Sequence, residues 1–107
     1  MTEPEQTQPD DVDLAVAAVE AWGRDAQLAQ AQEELAELIV ALSHYRRARK
    51  GSRAEVLTEL LDVDMMLSQI GFACAFTVEE INATKAERDA RLHDRLLRHT
   101  QHVGGGA

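Results

Sequence analysis

The sequence predicts an all-α fold of four helices, a bundle completed by oligomerisation. Three observations carry that expectation. Both prolines, Pro4 and Pro9, lie in the first ten residues, so no proline downstream interrupts a helix. Ala and Leu, strong helix formers, supply 29 of 107 positions. Apolar residues also recur at spacings of three and four over long stretches. The length suits one domain, and we expect it over residues 11–100, between a polar tail (1–10) and a flexible Gly-rich end (101–107).

The first helix starts where Asp10, Asp11 and Asp13 put negative charge at its N-terminus, and it runs to Trp22, where Gly23 closes it. Trp22 reads as a core anchor, with stacking on a nucleobase the other use of such a ring. Asp25 is placed to cap the second helix, whose seam is Leu28, Ala31, Leu35, Leu38 and Leu42. Beside that seam, at 100° per residue, runs a polar strip of Gln27, Gln30, Glu34, Glu37 and Ala41. The basic run HYRRARKGSR then ends the helix in a loop punctuated by Gly51 and Ser52.

The third helix, from about Ala54 to Phe76, is apolar on two sides. Val56, Leu60, Val63, Leu67, Ile70 and Cys74 form one; Leu57, Leu61, Met65, Phe72 and Phe76 form the other. A chain this small covers little more than one of them, so a second copy is expected on the other. Between them lies a sector with Glu55, Glu59, Asp62, Met66, Gln69 and Ala73. Thr77 with Glu80 predicts a capping box for a fourth, basic helix. Asp64, set among apolar neighbours, is expected to make a buried hydrogen bond.

Charge narrows the function. The net charge of −8 argues against binding a nucleic acid polymer over the whole surface. Residues 1–42 carry ten acids and one Arg, 43–53 five bases and no acid, and 54–107 nine acids and five bases. The one cysteine, Cys74, allows no internal disulfide and reads as a reduced, buried thiol in a cytoplasmic protein. Acids and amides break the longest apolar stretches, so no membrane span is expected.

Two acid pairs stand out. Glu34 with Glu37, and Glu59 with Asp62, are each spaced i, i+3 and project from one helical face. In an antiparallel hairpin, residues at one level have a constant index sum. Glu34 with Asp62 and Glu37 with Glu59 both give 96, which centres the turn on residue 48, inside the basic loop. The acids and the loop composition thus predict the same turn. Four carboxylates converging beside apolar seams repel one another unless a cation intervenes, and an all-oxygen set suits Mg²⁺, with Mn²⁺ possible.

With these residues in view, EELAE (33–37) followed by ELLD (59–62) resembles the E-E-x-x-E … E-x-x-D signature of the MazG-like, all-α nucleoside triphosphate pyrophosphohydrolases. The similarity extends from Trp22 to about Arg91. It implies a four-helix MazG-like bundle that hydrolyses nucleoside triphosphates to monophosphate and pyrophosphate by cleavage between the α and β phosphates. It further implies that Glu34, Glu37, Glu59 and Asp62 hold the metal and that Glu33 activates water or holds a further ion. The family often has another acid just before the third motif Glu; here that residue is Thr58.

Lys85, Arg88 and Arg91, spaced by three on the fourth helix, are candidates to clamp the β and γ phosphates, and the family has Lys and Arg there. Asn82 shares their face and is a further substrate-binding candidate, as is Gln27, which with Gln30 continues the acidic strip and could read a base edge. The loop bases Arg46, Arg47, Arg49, Lys50 and Arg53 read as a soluble turn, and the four histidines as mostly solvated. A ferritin-like di-iron site would need Glu-x-x-His on two helices, and no motif Glu has His at that spacing. The alternative is a non-enzymatic helical dimer or partner-binding module, which explains the apolar helices but not the level acids. The expected substrate is a nucleoside triphosphate, and the expected partner a second copy or more, as dimer or tetramer.

Overall fold

The computed structural model describes residues 10–104. The expected loose tail at 1–9 and the last residues, 105–107, lie outside the described residues. Four helices account for nearly all the rest: α1 (Asp11–Trp22), α2 (Arg24–Arg46), α3 (Ser52–Ala73) and α4 (Val78–Gly104). Among the described residues there is no strand, and no helix is long and apolar enough to cross a membrane. The chain divides into two compact units, Met1–Ala75 and Phe76–Ala107.

In the first unit, α2 and α3 form an antiparallel hairpin and α1 packs against both. Asp10 caps α1, its Oδ1 accepting the Asp13 N–H at 2.8 Å. Gly23 at φ 94° ends α1 and is also the cap residue of α2. The glycine reverses the chain in one step, so Asp25 falls inside the first turn of α2 and supplies charge there without capping. The hairpin loop turns through Ala48 at φ 56° and Gly51 at φ 78°. Ser52, at 4 % exposure, seals it by donating its hydroxyl to the Arg49 carbonyl at 2.5 Å.

The interior of this unit follows the seam read from periodicity only in part: Ala31 is buried and Leu28 and Leu38 are half-buried, but Leu35 and Leu42 are not covered. Its buried apolar residues are Ala15, Val19, Ala31, Ala41, Val63, Met66 and Ala73, and Gln27, Gln69 and Ser52 are buried with them. The strip Gln27–Gln30–Glu34–Ala41 of α2 thus meets the Glu59–Met66–Gln69–Ala73 sector of α3, while the leucines flank the contact. Leu35 and Leu42 on α2, and Leu57, Leu60, Leu61, Leu67 and Phe72 on α3, are exposed. Alanine explains the choice, because Ala31 and Ala41 let the helix backbones approach where leucine would hold them apart. On the Val56–Val63–Ile70 side of α3 only Leu60 and Leu67 are exposed, whereas the side of Leu57, Leu61 and Phe72 remains largely uncovered, with Met65 half-buried.

Three further expectations are corrected. Trp22 is 69 % exposed and anchors no core, because it is the last residue of α1 and the chain turns away at Gly23. Cys74, just past the end of α3, is half-buried. Asp64 points away from the hairpin contact and is exposed, so it needs no buried partner.

In the second unit, the capping box is formed as expected. The Glu80 N–H donates to Thr77 Oγ1 at 3.1 Å, and the Thr77 N–H donates to Glu80 Oε2 at 2.8 Å. Helix α4 continues to Gly104, so residues 101–104, expected in the flexible end, are helical. From Val78 to His102 every residue of α4 is exposed.

Candidate metal centre

The hairpin register brings acids from both helices together midway along its length. Glu34, Glu59 and Asp62 each offer a carboxylate oxygen, and these three atoms lie within 4.8 Å of one another. Octahedral Mg²⁺ holds oxygens at about 2.1 Å, so ligands on opposite sides of the ion stand about 4.2 Å apart. Neighbouring ligands stand about 3.0 Å apart, so the three oxygens would have to draw closer around an ion.

The electrostatics of the trio are unfavourable as it stands. Burial raises the pKa of Glu34 above the ordinary carboxylate value; the amide of Gln30, donating to Oε1 at 2.9 Å, opposes the shift, and the charges of Glu37 and Asp62 add to it. Glu34 Oε2 and Glu59 Oε2 are both buried with no hydrogen-bond partner among the described residues. Among the described residues no Lys or Arg pairs with any of the four motif acids. Two orphaned oxygens among converging carboxylates fit a cation, which would satisfy the lone pairs and neutralise the repulsion at once.

Glu37 stands apart from the trio. It is exposed, close enough to raise Glu34, and with Ala36, Val40, Glu55 and Glu59 it lines an open cavity of about 280 Å³. The structure thus joins three of the four expected ligands and puts the fourth at the edge. Glu33 is exposed and lies outside both the trio and the cavity lining.

Elsewhere in the hairpin the polar strip pairs with itself. Gln27 donates its amide to Gln69 Oε1 at 2.6 Å, and both side chains are buried, at 7 % and 5 % exposure. Their numbers share the index sum of 96, so one register governs amides and acids alike. Toward the loop, His44 Nδ1 lies 2.9 and 3.1 Å from the two oxygens of Glu55. The histidines are mostly solvated as expected, His93, His99 and His102 being exposed, and the exception is His44, half-buried and paired. Sequence reasoning missed the pair, although Glu55 stands one turn before Glu59 and the index sum of His44 and Glu55 is close to 96.

In the second unit, Asn82, Lys85, Arg88 and Arg91 are exposed along α4. Lys85 and Arg88 border an open hollow of about 510 Å³ with Ile81 and Thr84, and the Arg88 guanidinium donates twice to Asp89 Oδ1, at 3.0 and 2.9 Å. Arg98 pairs with Asp94 at 2.8 Å.

Compared with protein-family models, with curated proteins and with solved structures, the chain gives no match.

Proposed function

We propose that this chain is a Mg²⁺-dependent, cytoplasmic nucleoside triphosphate pyrophosphohydrolase of MazG-like bundle architecture, active as a homo-oligomer. The observation that carries the reading is the acid trio: three carboxylates from two helices, two of them with a buried oxygen that no group among the described residues satisfies. Glu34, Glu59 and Asp62, with Glu37 at the edge, would hold the ion. When bound, Mg²⁺ supplies neutralisation of phosphate oxygens in a displacement between the α and β phosphates. Lys85, Arg88 and Arg91 are the candidates to offer charge to the β and γ phosphates. The exposed leucines on both sides of α3 support a homo-oligomer, since a second copy is the surface of matching chemistry always present.

The test is pyrophosphate release from a panel of four NTPs and four dNTPs, with Mg²⁺ and then with EDTA. The wild-type chain is expected to release monophosphate and pyrophosphate from at least one nucleotide only with the metal, and Asp62→Asn to abolish turnover with helicity intact. Turnover undiminished by EDTA, release of inorganic phosphate alone, or no turnover at all would reject the assignment; the last result would leave a helical interaction module.

A further inference from the structure

We propose that Glu55, held in place by His44, is the base that takes the proton from the attacking water; this rests on the pyrophosphohydrolase reading above. Glu55 contributes no atom to the trio, so a bound cation leaves it available, yet it lines the same cavity as Glu37 and Glu59. It stands one turn from Glu59 toward the loop, about 6 Å along the axis, a separation that a substrate phosphate and a water span together. Glu33, the acid to which the family resemblance assigns water activation, is exposed and faces neither the trio nor the cavity.

The histidine gives Glu55 its distinctive setting. One Nδ1 reaches both carboxylate oxygens, at 2.9 and 3.1 Å, which fixes the plane of the group and leaves the remaining lone pairs directed elsewhere. Opposite an ionised Glu55, His44 carries its proton on Nδ1 and donates it as a hydrogen bond. His44 is thus a positioning residue, and the proton is accepted by Glu55. In the step, a water O–H bond breaks and its proton passes to the Glu55 carboxylate as the water oxygen bonds to the α phosphorus. The bond from that phosphorus to the α–β bridging oxygen breaks, and its electron pair leaves on pyrophosphate. Glu55 then returns the proton to solvent.

Glu55→Gln tests the assignment, because glutamine keeps the size and still accepts from His44 but cannot take a proton. The probe is whichever nucleotide of the eight-member panel the wild type turns over fastest. We expect kcat to fall about 100-fold or more, with KM, calorimetric Mn²⁺ affinity and Tm close to wild type. His44→Phe should lower kcat about 10-fold at unchanged KM, and His44→Asn, which restores a donor, should recover most of it. Wild-type kcat in Glu55→Gln, or a loss that follows Tm or Mn²⁺ affinity, overturns the dyad. If Glu33→Gln loses kcat while Glu55→Gln keeps it, the hydrolase reading survives and this inference does not. A wild type that hydrolyses none of the panel overturns both.

Discussion

Replacing Gln27 or Gln69 by Leu singly should destabilise the hairpin, and replacing both should not. The two amides meet at 2.6 Å across 42 residues of chain, and at 7 % and 5 % exposure neither has water as an alternative partner. Removing one leaves a buried amide stranded, which costs about 1–3 kcal/mol, whereas removing both replaces a polar contact by an apolar one of similar shape and is close to neutral. For a unit of this size each kcal/mol moves Tm by about 4–8 °C, so the single variants should melt several degrees below the double. The assay is a double-mutant cycle by urea unfolding, followed by far-UV circular dichroism on the metal-free protein so that the acids contribute equally throughout. Additive single effects of less than about 0.5 kcal/mol each would refute the coupling. Gln27 would then be free to read a base edge, and Gln27→Leu should alter preference within the nucleotide panel at unchanged stability.

Glu34→Gln is expected to stabilise the metal-free protein at neutral pH. The fold holds the Glu34 proton more tightly than the unfolded chain does, so ionisation costs native stability above the raised pKa and costs nothing below the ordinary value. The advantage of Gln should therefore disappear as pH falls toward about 4, and an advantage constant with pH would contradict the assignment of its cause. Leu61→Glu on the exposed side of α3 should give a monomer by light scattering with helicity retained, since each buried Leu contributes about 1.5–3 kcal/mol to an interface that excludes charge; a wild type already monomeric at tens of micromolar sinks the oligomer. Lys85→Ala and Arg88→Ala should lower kcat/KM at unchanged Mn²⁺ affinity while Arg98→Ala does not, and equal kinetics in all three would reduce the basic face of α4 to solvation.

Much of the local structure was legible because it obeys local rules. Gly23 and the Thr77–Glu80 box mark helix ends through backbone chemistry that needs no tertiary context, and the index sum of the acids gives the hairpin register from spacing alone. The direction of packing was not legible. Periodicity finds an apolar stripe but not how much of it its own chain covers, and here alanines and amides share the contact with only part of the leucine seam. Trp22 and Asp64 were both assigned to an interior that lies elsewhere: Trp22 is the last residue of α1, where the chain turns away, and Asp64 is exposed. At the site, spacing located Glu34, Glu59 and Asp62, whose backbone positions decide their convergence. Side-chain direction placed Glu37 outward, and the His44–Glu55 contact depends on loop geometry that composition does not encode.

The alanines at the hairpin contact act as a gauge. Ala31 and Ala41, at 2 % and 0 % exposure, fill the space between helix backbones with single methyl groups, and that thickness sets the gap across which Glu34 faces Glu59 and Asp62. Ala41→Val, one turn beyond Glu37, would wedge the helices and widen the gap by a fraction of an ångström, a large error for ligands that must close on an ion near 2.1 Å. It should weaken Mn²⁺ binding while helicity persists, and undiminished affinity would show the gap to be set elsewhere. Residues with no functional group would then behave in a mutational scan as though they belonged to the metal centre, and tolerance to substitution would follow distance from this spacer line more closely than distance from the ligands themselves.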